Sequence, residues 1–229
     1  MNYKNKDIID NVEKIAETIL SEKHSNHHRD RFFPELINRM DYKIGVEVGV
    51  DKGDFSEHIL SKTKIEMYYG IDTWQDNFGS DHKPDYFDKE GNVRLNQALE
   101  KLSPYVLNNR AILLRMDGLQ ASKKFAEETI DFCYIDGDHS LGGIYNDIVA
   151  WTPKIKMGGV IGGHDYKDGP RSGISDYFGE QLDYKIKTVV DYYCQRYGHK
   201  LNVIGGRILS WYFVKNTSSD DIFGKFINE

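Results

Sequence analysis

The chain has few cysteines, no long apolar run and no surplus of positive charge. Only two cysteines occur among 229 residues. Cys133 lies in an apolar run and Cys194 in a helical stretch, so a disulfide framework is excluded and both read as reduced core residues. No window approaches the roughly 20 apolar residues needed to span a bilayer. The N-terminus MNYKNKDIIDNVEKIAETIL is charged and amphipathic, without the apolar core of a secretory signal. Net charge is -6, so no global basic field draws nucleic acid or an anionic membrane. These absences predict a cytoplasmic protein with neither nucleic-acid nor membrane partner. Two phosphate-binding signatures are also missing: the GxGxxG of dinucleotide enzymes and the Gly-Lys-Ser/Thr of a P-loop.

What is present fits one α/β unit. The length allows a single domain with a sizeable core, and 39% hydrophobic with 29% charged residues is ordinary for a globular protein. Residues 5–22 carry Ile8, Ile9, Val12, Ile15, Ala16, Ile19 and Leu20 at helical spacing. That stripe could pack on its own sheet or on a second subunit, so a homo-oligomer is open. HSNHHRDRFF follows, and His24, His27 and His28 there read as a solvated linker or lid more readily than as metal ligands. A short helix is expected at Pro34–Met40. Residues 1–42 thus form an N-terminal helical segment, with the main domain at 43–229.

From Lys43 onward, strand candidates (Ile44–Val48, Met67–Ile71, Ile112–Met116, Phe132–Ile135, Val160–Gly162) alternate with helices at 54–61, 94–105, 119–127 and 141–154. This alternation predicts a parallel sheet with helices on both faces. A helix at about 182–197 and two β-rich runs, 200–204 and 208–215, around Gly205-Gly206 add an antiparallel hairpin. The sum is a seven-stranded mixed sheet, five parallel strands plus the hairpin.

Ligands of open parallel sheets bind beyond the carboxyl ends of the strands. Strand one runs into Glu47-Val48-Gly49-Val50-Asp51-Lys52-Gly53, where two glycines let a ligand approach the backbone. The acidic loop suits the cationic amino-acid end of a ligand and disfavours a pyrophosphate. Strand two ends at Asp72, placed to accept ribose hydroxyls, and strand three at Met116-Asp117, where Asp117 could accept an adenine amino proton or cap a helix. Strands four and five end in Asp136-Gly137-Asp138-His139 and His164-Asp165. Carboxylates so crowded repel unless a cation, proton or arginine intervenes. A divalent metal on Asp136, His164 and Asp165, with His139 as general base, is the economical reading. The competing one keeps the histidines as hydrogen-bonding partners with no metal.

The segments EVGVDKG, GIDTW and DFCYIDGDHSLGGIYNDIVAWTPKIKMGGVIGGHDY together resemble class I S-adenosylmethionine methyltransferases, over roughly residues 43–215. They look most like the macrocin-type sugar O-methyltransferases. The resemblance implies a Rossmann-like fold with S-adenosylmethionine as cofactor. Glu47, Gly49 and Gly53 would line its methionine and ribose side. Asp72 would bind the ribose with Thr73 and Trp74 flanking, Met116 and Asp117 would meet the adenine, and Asp136 would border the cofactor. It also implies magnesium, with manganese favoured if His164 is a ligand, Asp136 and His139 as catalytic residues, and a sugar hydroxyl as acceptor. The segments 75–93 and 166–180, with Lys83, Lys167 and Arg171, would form the acceptor pocket; a catechol-like or phosphorylated acceptor, or a metal-independent reaction, is the alternative.

Overall fold

In the computed structural model, which describes residues 3–22, 28–75, 89–175 and 181–218, helices α1 (Tyr3–Ser21) and α2 (Arg29–Arg39) precede the strand–helix alternation. That alternation runs β1 (Ile44–Val48), α3 (Asp54–Lys62), β2 (Met67–Asp72), α4 (Lys89–Leu107), β3 (Ala111–Arg115), α5 (Gly118–Ser122), β4 (Ile130–Ile135), α6 (Leu141–Trp151) and β5 (Ile155–Gly163). The C-terminal part holds β6 (Asp168–Ser175), β7 (Gln181–Lys185), α7 (Ile186–Tyr197), β8 (Asn202–Ile204) and β9 (Ser210–Val214).

The main sheet has the order β3-β2-β1-β4-β5-β9-β8. β1 to β5 are parallel, β9 is antiparallel to β5, and β8 is antiparallel to β9. This is the expected seven-stranded mixed sheet. Its strand order reverses between β1 and β4, so a crevice opens at their carboxyl ends. Helices cover both faces, which is why β4, IDFCYI, is buried along its whole length. One face packs on α1 to α4 through Val12, Phe33, Ile59 and Leu102. The other packs on α5 to α7 through Ile144, Trp151, Val190 and Tyr193.

The amphipathic stripe of α1 is covered by the chain's own sheet. Val12 and Ala16 are fully buried, and α1 lies so close to β5 that a Cβ on Gly158 would come within 2.3 Å of the Ile8 side chain. Lys200 reaches back to Glu13 and Glu17 at 3.1 Å each.

Several boundaries differ from the sequence reading: β5 starts at Ile155 rather than Val160 and α4 at Lys89 rather than 94, and four others differ for a local reason. α2 begins at Arg29 and not near Pro34. Pro34 has no N–H to give to the carbonyl of Asp30, and the ring of His58 takes that carbonyl at 2.6 Å instead. The expected helix 119–127 stops at Ser122, because Phe125 turns inward onto Tyr69 and Trp151. The helix expected to reach residue 154 ends at Trp151, where Pro153 closes a 3₁₀ turn, Thr152–Lys154. The largest correction concerns 166–185. There β6 and β7 form a separate two-stranded antiparallel sheet, and α7 starts at Ile186 rather than 182. Leu182 continues the helical stripe of Ile186, Val189 and Tyr193, but it also alternates with Tyr184 at strand period, so spacing alone does not choose. Residues 23–27, 76–88 and 176–180, which include His24, His27 and Lys83, lie outside the described residues.

Candidate active site

Five loops meet at the carboxyl rim of β1 to β5. The loops after β1 and β4 cross so closely that Gly49, at φ 94°, could carry no side chain: its Cβ would fall 2.2 Å from the Asp136 carbonyl oxygen. Gly53, at φ 79°, is the N-cap of α3. Between them the Asp51 N–H donates to Asp72 Oδ2 at 2.8 Å, and the Trp74 N–H donates to Asp72 Oδ1 at 2.7 Å. Each carboxylate oxygen of Asp72 therefore keeps one lone pair free toward the crevice, the acceptor pattern a vicinal diol needs. Trp74 itself is fully buried and donates its indole N–H to the Asp51 carbonyl at 2.8 Å. Its side chain braces the loop from below. Thr73 beside it receives the Gln75 N–H, and Arg115 holds the carbonyls of Thr73 and Trp74 at 3.2 Å. Met116 is half-buried and donates its N–H to the Asp72 carbonyl at 2.9 Å. Asp117 is exposed and caps α5 by accepting from the Gln120 N–H.

Glu47 lies beneath the loop, not on its surface. It is buried, and Ser56 and Tyr68 both donate hydroxyl hydrogen bonds to its Oε2. Burial pushes its carboxyl up to about 8, against the downward pull of those two bonds. A carboxyl raised in the folded state contributes stability fully below its unfolded value, and that contribution is lost as pH rises toward the folded value. Replacing Glu47 with glutamine, which keeps the shape, removes this dependence. Melting temperatures of native chain and variant should therefore diverge between pH 5 and 8, in favour of the variant at the alkaline end, with a slope of roughly 1.4 kcal/mol per pH unit as the upper bound. Parallel curves across that range would contradict the assignment.

The fourth and fifth loops bring Asp136, His139, His164 and Asp165 together. His139 Nε2 stands 3.2 Å from Asp136 Oδ1 and 3.7 Å from Asp165 Oδ2. His164 Nδ1 lies 3.7 Å from Asp136 Oδ2 and 3.6 Å from Asp165 Oδ2. His139 Nε2 faces both carboxylates, which favours the hydrogen there, and its buried Nδ1 has no hydrogen-bond partner among the described residues. The Tyr184 ring of β7 lies 5.2 Å from the imidazole, with Lys167 Nζ 4.0 Å from the same ring centroid. Asp138 is not part of the cluster; it takes the Ser140 N–H at 2.9 Å and the Ser140 hydroxyl at 3.0 Å, ahead of α6. Burial alone would raise the Asp165 carboxyl, but His164, His139 and Lys167 outweigh it and bring it down to about 2. Asp165 also sits at φ 50°, a strained setting that a carboxylate in an over-determined site can hold.

One residue of this site escaped the sequence. Arg29, the first residue of α2, donates from Nη1 to the Tyr134 hydroxyl at 2.8 Å and to Asp136 Oδ2 at 3.2 Å. Its guanidinium carbon lies 5.0 Å from the Phe55 ring centroid and 5.6 Å from that of Tyr134. The only hint in the sequence was the crowding of carboxylates, which called for a countercharge without saying from where.

Asp136, His139 and Asp165 offer ligand atoms within 4.8 Å of one another, so distance would admit a divalent ion, with His139 in the set. Charge does not. Asp136 is already paired with Arg29, and Asp165 with Lys167 Nζ at 3.3 Å. Each of these carboxylates thus has a cation against it before any ion arrives, with Asp30 also 3.5 Å from Arg29 Nε. An added divalent ion would face a fixed guanidinium across one ligand oxygen, and unit charges 4 Å apart near a surface repel by roughly 4 kcal/mol. The residues present do not fit a resident metal.

The nucleotide half does fit. The glycine turn, the fixed Asp72 and the exposed Asp117 stand on adjacent strand ends, as an adenosine requires. A family model for a methyltransferase domain matches residues 46–166. No curated protein sequence matches the chain. Among solved structures, a candidate caffeoyl-CoA O-methyltransferase from Staphylococcus aureus superposes with a TM-score of 0.59 at 16% identity, over 93% of this chain and 100% of that one. The cofactor-bound Rv0187 from MTB gives 0.56 at 10% identity, over 92% and 91%. A candidate O-methyltransferase from Klebsiella pneumoniae gives 0.53 at 12% identity, over 94% and 91%. At such identities the likeness is one of fold.

Proposed function

The chain belongs to the methyltransferase-domain family and is an S-adenosylmethionine-dependent methyltransferase, and from that premise we propose that it methylates a hydroxyl oxygen, in particular that of a sugar. The observation that carries the oxygen acceptor is the Asp136–His139 pair, 3.2 Å apart beside the glycine turn. An alcohol must lose a proton to become a competent nucleophile, and an imidazole oriented by a carboxylate is built to take one. Two of the similar folds carry O-methyltransferase names, which agrees with this choice.

Bound S-adenosylmethionine supplies a methyl group already activated on a sulfonium. The chain's own work is alignment and proton transfer. Asp72 holds the ribose hydroxyls and Asp117 the adenine amino group, while the Gly49–Gly53 turn leaves room for the methionine end. Asp136 accepts from His139 Nε2 and so fixes the tautomer in which Nδ1 is bare. His139 takes the acceptor proton at Nδ1, a buried atom that must become accessible as the acceptor enters. Arg29 and Lys167 stay paired with Asp136 and Asp165 as this happens. The divalent ion is left out of this scheme for the charge reason given above.

The sugar is supported by the wall that β6 and β7 add beside His139. Tyr184, flanked by His139 and Lys167, sets an aromatic ring among the polar groups of Lys167 and Asp165, a mixed lining of the kind a pyranose ring suits. Methyl-labelled cofactor should be offered with sugars, sugar nucleotides, catechols and phosphorylated alcohols, all in the presence of a chelator. Label on a sugar hydroxyl is expected. Label confined to the catechols would remove the sugar, and label on nitrogen or carbon acceptors alone would remove the oxygen.

A further inference from the structure

We infer that Arg29 is the resident cation of the reaction site, a positioning residue that occupies the place on Asp136 where a divalent ion would otherwise bind and so makes methyl transfer metal-independent. The inference rests on the methyltransferase reading above, and it goes beyond the family match, since Arg29 lies outside residues 46–166.

Four observations carry it. First, α2 does not need this charge. A cation in the first turn opposes the helix macrodipole, where an acid such as Asp30 is favoured. Second, the guanidinium is specifically housed. It is largely withdrawn from solvent, with a side-chain exposure of 20%, between the rings of Phe55 and Tyr134, and Tyr134 is itself fully buried. Such a cation is costly unless hydrogen-bonded and paired, and both the Tyr134 hydroxyl and Asp136 meet it. Third, the helix that presents it is pinned at its start. His28 Nδ1 caps α2 by accepting from the Asp30 N–H, and His58 takes the Asp30 carbonyl that Pro34 leaves unpaired. Fourth, Arg29 and His139 divide one carboxylate between them, Nη1 on Oδ2 and Nε2 on Oδ1, each at 3.2 Å. The guanidinium thus holds the oxygen pair that orients the imidazole. A metal on the same oxygens would have to displace it or sit against its charge.

Arg29 is thus a block against metal as well as a substitute for one. Removing its charge leaves Asp136, His139 and Asp165 converging with one countercharge missing, which is a latent divalent site. Manganese titration followed by electron paramagnetic resonance tests this without any acceptor, so its outcome is separate from the success or failure of the methyl-transfer reading. The native chain should bind no manganese at the cluster at concentrations up to about 100 µM, a free energy near 5.5 kcal/mol. Arg29→Gln, which preserves most of the packing, should gain a single site at least tenfold tighter, and Asp136→Asn added to it should abolish that site. Affinity for S-adenosylhomocysteine reports that each variant is folded. In the transfer assay, native turnover should be unchanged by chelator, and Arg29→Lys should retain more of it than Arg29→Gln. A native site lost on Asp136→Asn would overturn the inference. So would an Arg29→Gln variant that binds S-adenosylhomocysteine normally and gains no manganese.

Discussion

Replacing His139 with alanine is expected to lower kcat by about 10²- to 10⁴-fold, the contribution of a positioned general base, while affinity for S-adenosylhomocysteine changes less than about threefold. The separation follows from geometry. His139 touches Asp136, Asp165 and Tyr184 on the β4–β5–β7 side of the crevice. The cofactor-facing groups, Asp72 and Asp117, stand at the ends of β2 and β3, on the far side of β1 in the sheet order. His139→Gln serves as the control for packing against Tyr184: it fills the space and cannot act as a base at neutral pH. If alanine and glutamine variants both turn over at the native rate, His139 has no part in proton transfer.

The second large effect belongs to Asp72. Its carboxylate accepts two backbone N–H bonds, from Asp51 and Trp74, so it sets the conformation of the glycine loop as well as offering lone pairs to a ribose. Removing a charged acceptor of this kind costs about 1.5–3 kcal/mol per bond lost to the ligand, or roughly 10- to 150-fold in affinity. Asp72→Ala should therefore weaken S-adenosylhomocysteine by at least that range, since the loop also loses its tie to β2. An asparagine at the same position would keep an oxygen for one of the two backbone bonds, so Asp72→Asn should fall between the native chain and Asp72→Ala. Equal affinities for all three would show that the ribose lies elsewhere.

Much of this site was legible in the order of residues, and the reason is topological. A parallel sheet sends the carboxyl end of every strand to one rim, so Asp72, Asp117, Asp136, His164 and Asp165 had to share it once the strands were recognised. What the order of residues could not give was direction and long-range pairing. Glu47 stands near the end of β1, just before the rim, yet its side chain turns beneath the loop to Ser56 and Tyr68. Trp74 stands next to the ribose loop in sequence, but its bulk fills the core beneath. Arg29 meets Asp136 across 107 positions, a contact no local pattern encodes. The β6–β7 sheet was hidden because Leu182 satisfies the helical and the strand period alike.

The metal reading shows the same limit in chemical form. Crowded carboxylates state a need for positive charge, and the sequence cannot say whether an ion or a side chain meets it. Here Arg29 and Lys167 do. A single strand-end motif therefore fixes the anions of a site more firmly than its cations.

The central claim, that this rim binds the adenosyl cofactor of a methyltransferase, is tested most directly by calorimetric titration of the native chain with S-adenosylhomocysteine. A saturable isotherm with one site per chain, weakened at least tenfold by Asp72→Ala, is the predicted result. No heat of binding at ligand concentrations up to about 1 mM, where even a free energy near 4 kcal/mol would register, would contradict it.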